Sequence, residues 1–220
     1  MYNPTPDDEV QITQKIFGKD CIFSIRKKKR LSIIDKIKKM LKLADDWIEY
    51  EFYSSYYEWD FENLPLHYYV SSDDCHLKIV QDKYHIEDLL WKTVKNLGKD
   101  FIKDKFAIYG VIFGKGIHKS YNYNLNEIQF LGTDVFKDKN FESPDAAKLI
   151  FDDILDLPHV EILHTGEWNQ EIHNEYLYNG VIENTNIPCA GIVVKHVSGD
   201  KEKVATFYNP KFLIYIGKES

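Results

Sequence analysis

Short runs rich in Val, Ile, Phe and Tyr recur along this chain, at Phe106 to Phe113, Ile128 to Phe136, Val160 to Leu163, Ile192 to His196 and Lys203 to Tyr208, and few segments switch to helical spacing. Strands and helices therefore alternate irregularly. That pattern favours an α+β fold with mainly antiparallel sheets over a regular parallel wind. Val10 to Ile34 reads as two strands around a turn, with Cys21, Phe23 and Ile25 alternating and the basic run Arg26-Lys27-Lys28-Lys29-Arg30 capping a hairpin before Leu31, Ile33 and Ile34. The spacing of Ile34, Ile37, Leu41, Ala44 and Ile48 predicts a helix over Ser32 to Glu49, opened by a Ser32 and Asp35 capping pair. A second helix is expected at Ile86 to Leu97, stopped by Gly98, and a third from Ser143-Pro144-Asp145 to about Leu155, before Pro158.

With 220 residues, 44% of them hydrophobic, the chain can bury a core without metals or disulfides. No linker or internal repeat divides it, so residues 1–220 are expected to form one domain with no further domain after Ile216. Three widely spaced cysteines, Cys21, Cys75 and Cys189, argue for a reducing compartment, and Cys75-His76 lacks the second ligand pair of a zinc site, so no metal residues are assigned. The Met1 to Glu9 segment lacks the regions of a signal peptide and no apolar run is long enough to span a membrane, which predicts a cytoplasmic protein with no membrane partner. A net charge of -7 opposes nonspecific binding to a phosphate backbone, so an RNA partner would need a local basic patch.

Four short motifs follow one another in order. They are Lys15-Ile16-Phe17-Gly18, the segment Tyr109-Gly110-Val111-Ile112-Phe113-Gly114 with Gly116-Ile117-His118, Phe130-Leu131-Gly132-Thr133-Asp134-Val135, and Ala190-Gly191-Ile192-Val193-Val194-Lys195. Each alone is weak, but the ordered series resembles the nucleotidyltransferase domain of ATP-dependent RNA ligases of the bacteriophage type, over about residues 13–213. The resemblance implies a ligase-type nucleotidyltransferase fold, ATP-grasp-like, with antiparallel sheets flanked by helices. It implies ATP or a related adenine nucleotide as ligand, Mg2+ if the chain is catalytically active, and RNA as a partner only if ligation is retained. Lys15 matches the lysine that becomes a lysyl-AMP phosphoramidate, Gly18 the motif glycine, and Gln14 the residue before the nucleophile. Phe130 matches the aromatic that stacks on adenine, Val193 the apolar residue beneath the base, and Lys195 the lysine near the α-phosphate. Arg30, from the basic run, is a further candidate for triphosphate or RNA.

Several charges of that family pattern are replaced. Phe17 stands at the usual aspartate or other polar residue, Val111 at a ribose-binding glutamate, Ala190 at a glutamate that positions a divalent metal, and Thr206 and Tyr208 at two lysines. Losing one transition-state contact of this kind costs roughly 3 to 4 kcal/mol. Stacking, apolar burial and phosphate pairing by Lys15 and Lys195 survive such losses better than the chemistry does. Three readings follow. The chain is a nucleotide-binding protein with weakened or lost ligase chemistry, or a working ligase in which Glu183, Asp134 or another carboxylate takes the metal role, or an interaction module using the aromatic, acidic stretch Tyr50 to Val70.

Overall fold

Two antiparallel sheets carry the chain in a computed structural model that describes residues 2–28, 30–44, 49–57, 90, 105–117, 123–138, 140–180, 188–200 and 202–217. The elements in order are β1 (Glu9–Lys15), β2 (Lys19–Lys27), α1 (Ile33–Met40), β3 (Tyr50–Tyr57), β4 (Lys105–Gly114), β5 (Ile128–Lys137) and β6 (Asn140–Phe141). Next come α2 (Pro144–Leu149), wound on as a π-helical segment over Ile150–Leu155, then β7 (Ile162–Glu167), α3 (Gln170–Asn179), β8 (Gly191–His196), β9 (Val204–Tyr208) and α4 (Pro210–Tyr215). One sheet has the order β7-β1-β8-β9, the other β3-β2-β4-β5-β6. The α+β reading and the antiparallel pairing hold.

Period-two alternation gives each sheet an outer apolar face. In the four-stranded sheet Val10, Ile12, Ile192 and Val194 pack with Trp168 and Leu177, the latter from α3. In the five-stranded sheet Phe23, Ile25, Phe106, Ile108, Ile112, Phe130 and Val135 pack with Ala147, Phe151 and Leu155 from α2 and its continuation. The inner faces look towards each other, and their cross-sheet contacts form the site described below.

Ser143 caps α2 as expected, accepting a hydrogen bond from the Ala146 N–H at 3.3 Å, and the helical path runs to Leu155, where Asp156 takes a left-handed turn. Three expectations are corrected. β1 and β2 belong to different sheets, and Leu31, Ile33 and Ile34 form no strand, because the basic run leads into α1 and β2 pairs with β3. The Ser32 and Asp35 capping box forms, but α1 ends at Met40 instead of Glu49. Its apolar residues stay open, Ile33 at 77% and Met40 at 75% exposed, so no packing extends the helix. The strand expected at Val160 to Leu163 is shifted to Ile162–Glu167.

The helix expected at Ile86 to Leu97 lies outside the described residues apart from Leu90, which is buried in the larger core. Cys75-His76, Glu183 and the Glu58 to Val70 part of the aromatic stretch also lie outside them. Among the described residues no helix is long and apolar enough to cross a membrane.

Candidate functional site

Lys15 ends β1 in one sheet, and Lys19 begins β2 in the other. The chain crosses between the sheets in the three residues Ile16, Phe17 and Gly18. At Gly18 a Cβ would stand 2.3 Å from the Ile112 carbonyl oxygen and 2.5 Å from Val111 Cγ1, so only glycine lets the crossing pass this close to β4. Gly191, opposite Lys15 on β8, has φ +148°, and a Cβ there would lie 2.0 Å from the Phe207 carbonyl oxygen. Both motif glycines are therefore required by the backbone around Lys15.

The register of β1 against β8 places Gln11, Thr13 and Lys15 on the inner face with Lys195, Val193 and Gly191. Both lysines are buried and each meets an aspartate from the other sheet. Lys15 Nζ lies 3.8 Å from Asp20 Oδ1 of β2. Lys195 Nζ lies 2.9 Å from Asp134 Oδ2 and donates to the Thr133 carbonyl oxygen at 2.8 Å. Val193 lies between these two ion pairs, with Val111 and Leu131 paired on the inner face of the opposite sheet.

His159 flanks the second ion pair. Its segment bridges to Gly132, and burial, with the neighbouring Lys195 charge, holds its imidazole below the ordinary histidine range. Gln11 Nε2 donates to Asp145 Oδ1 at 2.9 Å and so ties this face to the start of α2.

Three candidates lie elsewhere. Phe130 was expected to stack on a base, but its ring is on the outer face, over Gly110 and 6.5 Å from Phe151. The cause is a β-bulge. Tyr109 pairs with Asp134 and Gly110 with Gly132, leaving Thr133 as an extra residue that turns Asp134 inward and Phe130 outward. Gln14 shares the outer face of β1 with Val10 and Ile12, opposite Ile192, and its side chain hydrogen-bonds Cys189. Burial pushes that thiol above its ordinary value, and the Gln14 bond partly offsets the shift. Arg30 follows the far end of β2, about 26 Å along the strand from Lys19 at roughly 3.3 Å per residue. There Lys27, Lys28, Arg30, Leu31, Lys36 and Glu49 line a separate open cavity of about 350 Å³.

Phe17, where the resemblance expects aspartate or another polar residue, and Ala190, where it expects glutamate, are packed in one cluster. Phe17 is 2% exposed, Ala190 1% and Phe212 0%, and the three form one apolar cluster with Tyr123 and Ile216 at its margin. The Phe17 and Phe212 rings meet edge to face at 5.3 Å, and the Phe17 N–H donates to the Tyr123 hydroxyl at 2.7 Å. A divalent cation needs oxygen ligands, and this cluster offers methyl and ring carbons instead. No group of three His, Cys, Asp or Glu residues among the described residues is placed to hold a metal. Thr206, paired with Val193, and Tyr208, paired with Gly191, occupy the inner face of β9 without adding a cation.

Two antiparallel sheets with few helices match the nucleotidyltransferase fold of solved RNA ligases. The solved structures with this fold include a mutant of Naegleria gruberi RNA ligase with ATP and Mn, at TM-score 0.59 and 16% identity, covering 96% of this chain and 52% of that one. The same Naegleria gruberi enzyme with PPi aligns at TM-score 0.58 and 16% identity, over 94% and 51% of the two chains. A further mutant with AMP and Mn gives TM-score 0.57 and 16% identity, over 97% and 52%. The chain thus spans about half the length of these proteins. No family model matches the sequence, and no curated protein does.

Asp20, which pairs with Lys15, and His159, which feels the charges of Lys195 and Asp134, are neighbours of the two lysines that sequence spacing did not single out. The only available signal for Asp20 was its place two residues after Gly18, and that distance means nothing until the chain is known to change sheets there.

Proposed function

We propose that this protein binds an adenine-type nucleotide between its two sheets and that its ligase chemistry is weakened or lost. Lys15 and Lys195 are the phosphate-pairing groups, and Val193 with the facing Val111 and Leu131 is the apolar bed for the base. The fold and the order of the motifs support membership among RNA-ligase-like nucleotidyltransferases, and the solved relatives with ATP, AMP and PPi support an adenine nucleotide as ligand. Phe130 is not part of this proposal, because its ring belongs to the outer core.

The observation that carries the reading is the packed cluster of Phe17, Ala190 and Phe212 beside Lys15. Here the polar groups that the resemblance expects are replaced by apolar side chains packed in one cluster, so the difference is built into the packing. The two inner lysines are also each matched by an aspartate, so a phosphate group competes with a carboxylate for each of them. Sequestration of a nucleotide or nucleotide signal fits a pocket of this kind better than end joining does.

The test is intact mass after incubation with ATP and Mg2+, with native-condition binding measured on the same sample and Lys15→Ala as control. The expected result is retained ATP affinity, no added AMP, and weaker binding by Lys15→Ala. An AMP adduct on Lys15 would overturn the loss of chemistry and favour a working ligase. Absence of ATP binding would overturn the pocket itself.

A further inference from the structure

Among the described residues, Asp20 presents an acceptor that is left unsatisfied. One carboxylate oxygen faces Lys15 Nζ at 3.8 Å, whereas Oδ2 is buried with no hydrogen-bond partner. The side chain as a whole is 17% exposed, at the edge of the cleft. A buried carboxylate oxygen without a donor is costly, so a group that supplies a hydroxyl there gains more than it would at a solvated site. Directly across the strand pair, on the same face, stands Val111, which offers no donor.

We infer that Asp20 is the ribose-recognition residue of this cleft, accepting a hydrogen bond from a sugar hydroxyl of the bound nucleotide. This rests on the nucleotide-binding reading above. In any nucleotide the sugar lies between base and α-phosphate. An acceptor adjoining the phosphate-pairing Lys15, with the apolar bed of Val111 beside it, meets the sugar hydroxyls. A divalent cation is a poorer match for Oδ2, because the Lys15 ammonium already stands against the other oxygen and the neighbouring Phe17 and Ala190 contribute no ligand. The bond is an O–H donated to a carboxylate, the stronger kind of hydrogen bond, and makes affinity depend on the sugar hydroxyl that donates it.

The experiment compares dissociation constants of ATP, 2′-deoxy-ATP and 3′-deoxy-ATP, without metal, for the native protein, Asp20→Ala and Asp20→Asn. The native protein should prefer ATP over at least one deoxy analogue by roughly 10- to 100-fold, as expected for a hydrogen bond to a charged group. In Asp20→Ala the preference should fall to about onefold, because the acceptor is gone. Asp20→Asn, close in size and still an acceptor, should fold and keep an intermediate preference. A role confined to pairing with Lys15 would shift all three affinities together and leave the ratio unchanged, which overturns the inference. Equal native affinities for ATP and both analogues overturn it too, while the pocket stands; no ATP binding by the native protein overturns both.

Discussion

Replacing Ala190 by glutamate restores the residue that the ligase pattern expects, yet the structure argues that it will damage the protein. Ala190 is 1% exposed and shares its cluster with Phe17 and Phe212, themselves almost fully buried. Adding a carboxyethyl group to a filled site costs about 1 to 3 kcal/mol in overpacking. The carboxylate would have no partner there, so it would be driven into its neutral form. Holding a glutamic acid, ordinarily titrating near about 4.3, neutral at pH 7 costs about 2.7 pH units at 1.36 kcal/mol each, roughly 3.7 kcal/mol. The total is about 5 to 7 kcal/mol, comparable with the whole stability of many domains. The two parts separate by pH. A raised folded-state value makes stability fall as pH rises above the ordinary carboxylate range, so the deficit of Ala190→Glu should shrink by about 1.4 kcal/mol for each pH unit lowered from 7 towards 5. Ala190→Gln carries the packing cost and that of burying a neutral polar group, without the ionisation cost, and should show no such trend. Urea denaturation of the three proteins at pH 5 and pH 7 measures both parts. If Ala190→Glu stays within about 1 kcal/mol of the native protein at pH 7, or if Mg2+ selectively stabilises it, a cation or water reaches this position and the packed-cluster argument is wrong.

Breaking the buried pair with Lys195→Met should cost about 3 to 5 kcal/mol in urea denaturation, because Asp134 is left charged and buried, and adding Asp134→Leu should recover much of the loss. His159 predicts an acid-sensitive component of stability. Its folded value lies below the ordinary 6.5, so the unfolded chain binds the proton more readily and stability should fall as pH drops below about 6.5, with the drop reduced in His159→Gln.

The sheets were legible because alternation survives in short windows. Cys21, Phe23 and Ile25 point to one face of β2, and Ile192 and Val194 to one face of β8, as their spacing predicts. The capping residues of α1 and α2 were legible for the same local reason. What failed was anything that depended on pairing at a distance. Strict alternation from Phe130 puts Asp134 on the same face, and only the partner strand reveals that Thr133 is an extra residue. Arg30 was placed by charge, but charge says nothing about which end of a nine-residue strand it adjoins. The helix α3 was missed because its apolar residues, Ile172, Tyr176 and Leu177, are few and interrupted, although Asn169 supplies a cap by accepting from the Glu171 N–H at 2.7 Å.

The same dependence on pairing decides how the replaced motif residues should be understood. Read singly, Phe17, Val111 and Ala190 are three unrelated departures from the motif pattern. In the structure Phe17 and Ala190 share one cluster, while Val111 packs in the next with Ile16, Phe113 and Val160. A single charged substitution in the first cluster meets an apolar wall, so building a charged centre there would require several coordinated changes, each destabilising on its own. Asp20 and Asp134 stand outside these clusters and keep their lysines paired. The two ion pairs therefore stand apart from the apolar clusters, and a substitution that fills or opens one cluster need not disturb the lysine and aspartate pairs that face each other across the sheets.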